Sequence, residues 1–323
     1  MRGCFAWPPR SPRRVYIAYG IGVILAFLAI GALLKKVEWT QPYGAPVQVS
    51  LLQGNVAQET KFDPARYERT LATYEKLAAA SNAKLIVLPE TALPRLLDRV
   101  DPEYLARLES IAKRNAGDLL LGVPYRAEGP DGADQYFNSV ISLGVSPRQL
   151  YSKVHLVPFG EFIPTGFGWI LGALQIPLSN FSRGQETQNP FSVAGQSVAI
   201  NVCYEDAFGE EIIRPLPQAT LLANLSNMAW FGDSLAPAQH LQMARMRTLE
   251  TGRAMLAATN TGITAAIDRD ARVLGRLPQF VEGRLEVEVR GYSGMTPYAR
   301  FANMPALLAS ILLIALSLAW RKR

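Results

Sequence analysis

The chain has 323 residues, 49% of them hydrophobic and 19% charged, so it is long enough for a large folded domain and too apolar for a disordered protein. Its two cysteines cannot form a disulfide framework. Two histidines and the lack of a CxxC pair argue against a zinc or iron–sulfur site, so we expect neither a metal nor a cofactor.

The net charge of +6 at pH 7 is concentrated at the two ends of the chain. Nine basic residues flank apolar runs there: Arg2, Arg10, Arg13, Arg14, Lys35, Lys36, Arg321, Lys322 and Arg323. Without them the middle of the chain is mildly acidic and has no basic patch of the kind that follows a phosphate backbone. We therefore exclude nucleic acid as a partner.

Two apolar runs without a charged residue, residues 15–34 and 301–320, predict transmembrane helices. A helix of about 20 residues crosses the ~30 Å hydrocarbon core of a bilayer. The basic residues around these runs place residues 1–14 and 321–323 in the cytoplasm, and the middle of the chain on the opposite side. A cleavable signal peptide is the alternative interpretation of the first run, although that run is long for one and has no small-residue cleavage site before Lys35.

Residues 46–290 alternate between strand-like and helix-like segments, which is typical of one α/β domain. We predict strands at residues 47–52, 84–88, 119–123, 197–202, 220–223 and 255–259, and helices at about 64–80, 102–115 and 237–251. Residues 263–289 are predicted to form two or three antiparallel strands. No linker interrupts the alternation, so we expect a single catalytic domain.

Three reactive side chains follow predicted strands, at the position where α/β proteins collect their chemistry. Glu90 follows the strand at 84–88, Lys153 follows a short strand, and Cys203 follows the strand at 197–202. Taken singly, each has an ordinary interpretation as a buried cysteine or a solvated charge. Taken together they fit acyl transfer, with a thiol nucleophile, a desolvated carboxylate as its general base and an ammonium that stabilises the oxyanion.

The sequence around these residues resembles a known family. The strings LPE, YSK and CYE, which carry Glu90, Lys153 and Cys203, resemble the Glu-Lys-Cys triad of the nitrilase superfamily. Longer strings resemble its apolipoprotein N-acyltransferase family, and they include QGN (53–55), PETALP (89–94), HLVPFGEF (155–162) and SNMAWFG (226–232). The resemblance runs from about residue 48 to the end of the chain.

The resemblance implies a nitrilase-like α-β-β-α sandwich, here flanked by two transmembrane helices, and an acyl transfer in two stages. A glycerophospholipid would first acylate Cys203 as a thioester. The α-amino group of a diacylglyceryl-cysteine at the start of an apolipoprotein would then take the acyl chain as an amide. In this scheme Glu90 is the general base and Lys153 the cation that faces the oxyanion.

The resemblance also implies supporting residues around this triad. Glu161 and Glu205 match further carboxylates of the pocket, and Tyr204 matches an aromatic residue whose backbone N–H serves the oxyanion. Phe62 stands where the family often has tryptophan, and Trp230 belongs to the SNMAWFG string, so we expect both beside the substrate.

The family lies in the bacterial inner membrane with its catalytic domain on the periplasmic side, and the resemblance implies the same location here. It usually has a larger bundle of membrane helices, so we expect this chain to lack most of the N-terminal ones. The apolar segments 167–174 and 230–231 are candidates for contact with the bilayer, and packing inside the protein is the alternative for both.

Two other functions stay open at this point. One is a membrane-anchored amidohydrolase of the nitrilase type, in which water rather than an amine resolves the acyl-enzyme. The other is an inactive truncated homologue that is anchored in the membrane and only binds lipid or lipoprotein.

Overall fold

The computed structural model describes residues 12–164 and 180–321 of the chain. The chain divides into two compact units, Met1–Trp39 and Thr40–Arg323. The described part of the first unit is one long helix, α1 (Pro12–Leu34), and a short non-helical segment, residues 35–39. The apolar segment 167–174 lies outside the described residues, as do most of the predicted cytoplasmic ends.

The second unit contains the strands and the remaining helices. In chain order they are β1 (Thr40–Gln53), α2 (Gln58–Lys61), α3 (Pro64–Ala79), β2 (Leu85–Val87), α4 (Pro102–Arg114), β3 (Asp118–Glu128), β4 (Asp134–Gly144), β5 (Leu150–Ser152), β6 (Phe191–Val193), β7 (Gln196–Val202), α5 (Gly209–Ile212), β8 (Leu221–Ser226), α6 (Ala236–Thr251), β9 (Ala254–Thr259), β10 (Ala265–Ile267), β11 (Val273–Arg276), β12 (Gly283–Gly294), α7 (Pro297–Phe301) and α8 (Met304–Arg321).

The strands form two six-stranded sheets, in the orders β12-β1-β2-β3-β4-β5 and β11-β10-β9-β8-β7-β6. Each sheet contains three neighbouring parallel strands. These are β1-β2-β3 in the first sheet and β7-β8-β9 in the second. Parallel neighbours need crossover connections, which α3 and α4 supply in the first sheet and α5 and α6 in the second. The remaining pairs are antiparallel.

The two sheets pack face to face through alternate residues of their central strands, because side chains on a strand point to opposite faces in turn. Val49, Val87 and Leu120 of the first sheet lie in one buried cluster with Ile200 and Leu256 of the second. This cluster is the inner layer of the core.

The intervening residues of the same strands point to the outer face of each sheet, where helices cover them. Leu52, Ile86 and Leu121 lie in a cluster with apolar side chains of α3 and α4. On the other side, Leu222 and Met255 lie in a cluster with side chains of α5, α6 and α7. The result is a helix–sheet–sheet–helix stack, which confirms the predicted α-β-β-α sandwich.

The predicted strands and helices of residues 46–259 are all present. The helices α3 and α4 each begin at an aspartate-proline pair, in which Asp63 accepts from Ala65 N–H and Asp101 from Glu103 N–H, both at 2.9 Å. The strand β4, which pairs along its whole length with β3, was not predicted from the sequence.

The closing strands belong to different sheets. The strands β10 and β11 form an antiparallel pair at the edge of the second sheet. The strand β12 instead crosses to the first sheet and pairs with β1 from Gln53↔Gly283 to Thr40↔Gly294. The sandwich therefore extends from Thr40 to Gly294, slightly beyond the predicted limits of 46 and 290.

Among the described residues, one helical stretch is long and apolar enough to cross a membrane, Tyr16–Leu34 in α1. The apolar stretch of α8, Met304–Ala319, is shorter. It also begins later than the predicted span at 301–320, because Ala302 has a φ of 47° in the left-handed region and separates α7 from α8. The second membrane span stays a prediction.

The segment that carries Glu90 lies directly against a glycine of β3. A Cβ atom at Gly122 would lie 2.3 Å from the Pro89 carbonyl oxygen and 2.7 Å from the Thr91 nitrogen. We expect Gly122→Ala to lower the free energy of unfolding by about 1–3 kcal/mol, because backbone atoms must move to admit the methyl group. Thermal denaturation in detergent measures the effect.

The matched control is Gly275→Ala on β11, whose Cβ would approach only the Leu285 methyl carbon, at 3.0 Å, at the end of a flexible side chain. We expect a smaller loss of stability for this variant. Equal losses for the two variants would contradict the close packing of β3 against the Glu90 segment.

Candidate active site

Four strands end at one edge of the sandwich and bring the predicted residues together. The strand β5 runs in the same direction as β2, because two antiparallel pairings separate it from β3. Glu90 follows β2 and Lys153 follows β5, so the first sheet supplies both at the carboxyl ends of its strands. The second sheet supplies Cys203 after β7 and Asn227 after β8.

The Lys153 side chain is buried between two carboxylates and only 1% exposed. Its Nζ lies 3.7 Å from Glu90 Oε1 and 2.8 Å from Glu161 Oε2. Burial lowers the pKa of Lys153, but the charges of Glu90 and Glu161 outweigh it, so the pKa lies above its ordinary value. The site therefore holds a permanent ammonium in a place that water scarcely reaches.

The two carboxylates are oriented by neutral hydrogen-bond donors. The Asn138 amide donates to Glu90 Oε1 and to Glu161 Oε1, at 2.7 Å in each case. Glu90 Oε2 accepts from Asn227 N–H at 2.7 Å, and Glu161 Oε2 accepts from Val157 N–H at 2.9 Å. Each carboxylate is thus fixed from two sides before any substrate binds.

Cys203 follows β7 directly at a sharp turn and is the first residue of a short 3-10 helix, Cys203–Ala207. Its φ is +52°, a conformation that costs a non-glycine residue of the order of 1 kcal/mol. The turn is held by Glu205, whose carboxylate accepts from Val202 N–H at 2.6 Å and from Val154 N–H at 2.6 Å. The same carboxylate accepts from the Tyr151 hydroxyl at 2.9 Å.

Glu205 therefore connects the cysteine turn to the loop that follows Lys153. It is 2% exposed, and its oxygens face backbone donors from both segments. Burial raises the pKa of Glu205, and Lys153 and the backbone donors only partly offset that shift. We expected Glu205 to lie in or beside the pocket, and the structure shows its carboxylate accepting hydrogen bonds that join these two segments.

The electrostatics of the site favour a neutral thiol at rest. Burial and the charge of Glu90 raise the pKa of Cys203, and the attraction of Lys153 does not cancel this shift. A thiol in this state becomes a nucleophile only as its proton leaves. Glu90, a fixed carboxylate whose charge already acts on Cys203, is suited to receive it.

The other predicted residues are less buried than this cluster. Tyr204 is 38% exposed and meets the rings of His155 and Phe208 edge-on. Trp230 is 56% exposed on a 3-10 turn, Met228–Phe231, and Phe62 is half-buried at the end of α2. The structure thus brings Glu90, Lys153, Cys203 and Glu161 into one cluster and leaves the side chains of Tyr204 and Trp230 exposed.

A second lysine of the site, Lys61, is also buried and was not predicted from the sequence. Lys61 is 3% exposed, and its Nζ donates to the Glu90 carbonyl oxygen at 3.3 Å. Burial lowers the pKa of Lys61 to about 8, against the opposing effects of Glu90 and Cys203. Its place beside Phe62, a predicted site residue, was the only signal, because a lysine in a short polar segment ordinarily indicates a surface.

Comparisons with known proteins support the family and the fold. The carbon-nitrogen hydrolase family matches residues 48–298. The chain is 51% identical to an apolipoprotein N-acyltransferase of Nitrosomonas europaea, over 90% of this chain and 58% of that protein. It is 46% identical to an apolipoprotein N-acyltransferase of Chromobacterium violaceum, over 94% of this chain and 60% of that protein. The chain thus spans about three-fifths of the length of these curated relatives.

Solved structures show the same fold at low sequence identity. The NitFhit protein of C. elegans matches with a TM-score of 0.60 and 16% identity, over 82% of this chain and 64% of that one. An amidase from Nesterenkonia sp. matches with a TM-score of 0.54 and 21% identity, over 77% of this chain and 92% of that one. These matches support the sandwich architecture.

The pKa of Lys61 predicts a pH-dependent stability. The unfolded chain holds this proton up to about pH 10.5 and the folded chain only up to about pH 8. Folding therefore carries the cost of burying the charge below pH 8, and that cost disappears as the pH rises from 8 to 10.5. We expect Lys61→Met to be more stable than the natural chain at pH 7, by up to about 3 kcal/mol, with the difference shrinking above pH 8.

Thermal midpoints at pH 7 and pH 10 measure this difference. Lys76→Met is the matched control, since the Lys76 side chain is 76% exposed and we expect little change from it at either pH. A Lys61→Met variant that is less stable at pH 7, or equally shifted at the two pH values, would contradict a costly buried ammonium at this position.

Proposed function

Because the chain belongs to the carbon-nitrogen hydrolase family, we propose that it transfers an acyl chain from a phospholipid to the N-terminal diacylglyceryl-cysteine of an apolipoprotein, through a thioester on Cys203. The observation that carries this proposal is the buried charge cluster beside the nucleophile, in which Lys153 contacts Glu90 and Glu161. The identity to apolipoprotein N-acyltransferases, 51% in one case, supports the choice of substrates.

In the first stage the Cys203 sulfur attacks the sn-1 ester carbonyl of the phospholipid. The thiol proton moves to Glu90 as the carbon–sulfur bond forms, since the raised pKa of Cys203 keeps the resting thiol protonated. The ammonium of Lys153 and the Tyr204 N–H stabilise the negative oxygen of the tetrahedral intermediate. Collapse releases the lysophospholipid, whose alkoxide takes the proton back from Glu90.

In the second stage the α-amino group of the acceptor attacks the thioester carbonyl. Glu90 takes a proton from the attacking nitrogen and passes it to the departing sulfur, so the amide and the free thiol form together. Glu161 remains bound to Lys153 throughout and keeps the ammonium in place. No other proton carrier is required.

We propose that the reaction takes place at the periplasmic surface of the inner membrane. The helix α1 has the length and composition of a membrane span, and basic residues flank the apolar runs at both ends of the chain. Exposed aromatic side chains on the turn that follows Asn227, Trp230 and Phe231, suit contact with lipid chains. A thioester in a buried site is also protected from water.

A nitrilase-type amidohydrolase is the alternative, because the same cluster would serve water as well as an amine. The two functions differ in the molecule that removes the acyl group from Cys203, and in whether a lipid ester can load it. An inactive lipid-binding homologue would not be loaded at all.

The loading step is tested by intact mass of the detergent-purified full chain after incubation with phospholipid. We expect one acyl adduct, which is lost in Cys203→Ala and kept in Cys4→Ala, the matched control at the chain's other cysteine. Lys153→Met should slow its formation by about 100-fold or more, since it removes an oxyanion donor.

Absence of an adduct on the natural chain, with the domain folded, would overturn the transferase proposal. An adduct that survives in Cys203→Ala would overturn the assignment of the nucleophile. Loading by short amides but not by phospholipid would favour the amidohydrolase.

A further inference from the structure

Behind the nucleophile, two side chains from separate elements converge on one peptide group. The Asn224 amide, on β8, donates to the Cys203 carbonyl oxygen at 3.0 Å. His240, on α6, places its Nε2 3.2 Å from the same oxygen. These residues lie on the protein side of the turn, and the acyl-transfer scheme above does not use them.

The proton on His240 is fixed by its surroundings. Its Nε2 lies 3.2 Å from the Cys203 oxygen and 3.4 Å from Asp206 Oδ1, and both groups are acceptors, so Nε2 carries the hydrogen. Asp206 is fully buried, and in the described part of the chain no group donates a hydrogen bond to its carboxylate. Burial raises the pKa of Asp206 to about 6, so it is mostly ionised at pH 7 and holds the imidazole proton towards this side.

The carbonyl that receives these two bonds belongs to the same peptide unit as the Tyr204 N–H. Carbonyl and N–H of one peptide are coupled by resonance, so donors to the oxygen draw electron density from the nitrogen. Hydrogen bonds in such a chain strengthen each other. The Tyr204 N–H, which faces the oxyanion in the proposed reaction, is therefore a stronger donor while the Cys203 carbonyl oxygen accepts these two hydrogen bonds.

The same two bonds hold the turn. Cys203 has a φ of +52°, and a carbonyl tied to two elements limits rotation of the Cys203–Tyr204 peptide. His240 is only 6% exposed, so water does not readily replace its contact. The two hydrogen bonds therefore fix the orientation of the Tyr204 N–H and also strengthen it as a donor.

We propose that His240 is a positioning residue for acyl transfer, which together with Asn224 fixes and polarises the Cys203–Tyr204 peptide so that the Tyr204 N–H stabilises the oxyanion. This inference rests on the proposed acyl-transfer chemistry at Cys203. It does not depend on which ester or amide supplies the acyl group.

The test compares two reactions of Cys203 in the purified full chain. Acylation by p-nitrophenyl butyrate passes through an oxyanion, whereas alkylation by iodoacetamide displaces iodide without one. We expect His240→Leu to lower the maximal acylation rate about tenfold with an unchanged KM, because an indirect donor matters less than a direct one. Alkylation should stay within about twofold, because the thiol and its base are untouched.

Two further variants separate polarisation from folding. His240→Gln retains a donor at a similar reach, and we expect it to restore acylation to within about threefold of the natural chain. Gln239→Leu, at an exposed neighbouring position on α6, is the matched control and should change neither rate.

Unchanged acylation in His240→Leu would overturn the inference, and so would a parallel fall in alkylation or a failure of His240→Gln to rescue. If p-nitrophenyl butyrate acylates Cys203 and phospholipid does not, the proposed lipid substrate fails while these comparisons still decide the role of His240. If neither ester acylates Cys203, both proposals fail.

Discussion

The site depends on one buried ion cluster, the ammonium of Lys153 held between Glu90 and Glu161. Removing one charge from such a cluster leaves the others uncompensated in a place that water scarcely reaches, which is strongly unfavourable. The three residues must therefore be supplied together and at short range. The fold does this by ending β2 and β5 at the same edge, with Asn138 on β4 donating to both carboxylates.

The same cluster determines the state of the nucleophile. An anionic thiol beside Glu90 is disfavoured by burial and by like charge, so Cys203 rests as a neutral thiol, and in the proposed reaction its proton leaves as the sulfur attacks. The second sheet must then place Cys203 against the first with little freedom. Glu205, which bonds backbone N–H groups on both sides of the interface between the sheets, provides that connection. Lys61 adds a buried amine whose cost in stability is understandable only at a functional site.

Local patterns predicted much of this architecture, and long-range contacts account for what was missed. Apolar strands alternating with helices indicated an α/β domain, because burial on both faces leaves a clear mark on a sequence, and the family resemblance implied the sandwich. The strand β4 begins at the exposed Asp134, and serines interrupt its apolar residues, so it was missed and Asn138 with it. The bond from Val154 to Glu205 and the burial of Lys61 depend on partners far along the chain, which spacing does not reveal. The break at Ala302, which delays the start of α8, likewise has no glycine to indicate it.

The proposed reaction delivers the acyl group on Cys203 to an amine rather than to water. A single-turnover experiment tests this step by isolating the acyl-enzyme, freeing it of donor lipid and mixing it with a synthetic diacylglyceryl-cysteine peptide. We expect the adduct to be stable in buffer and to leave rapidly when the peptide is added, appearing as an amide on its N-terminus. Loss of the adduct at the same rate without peptide, with the acyl chain recovered as a free acid, would contradict it.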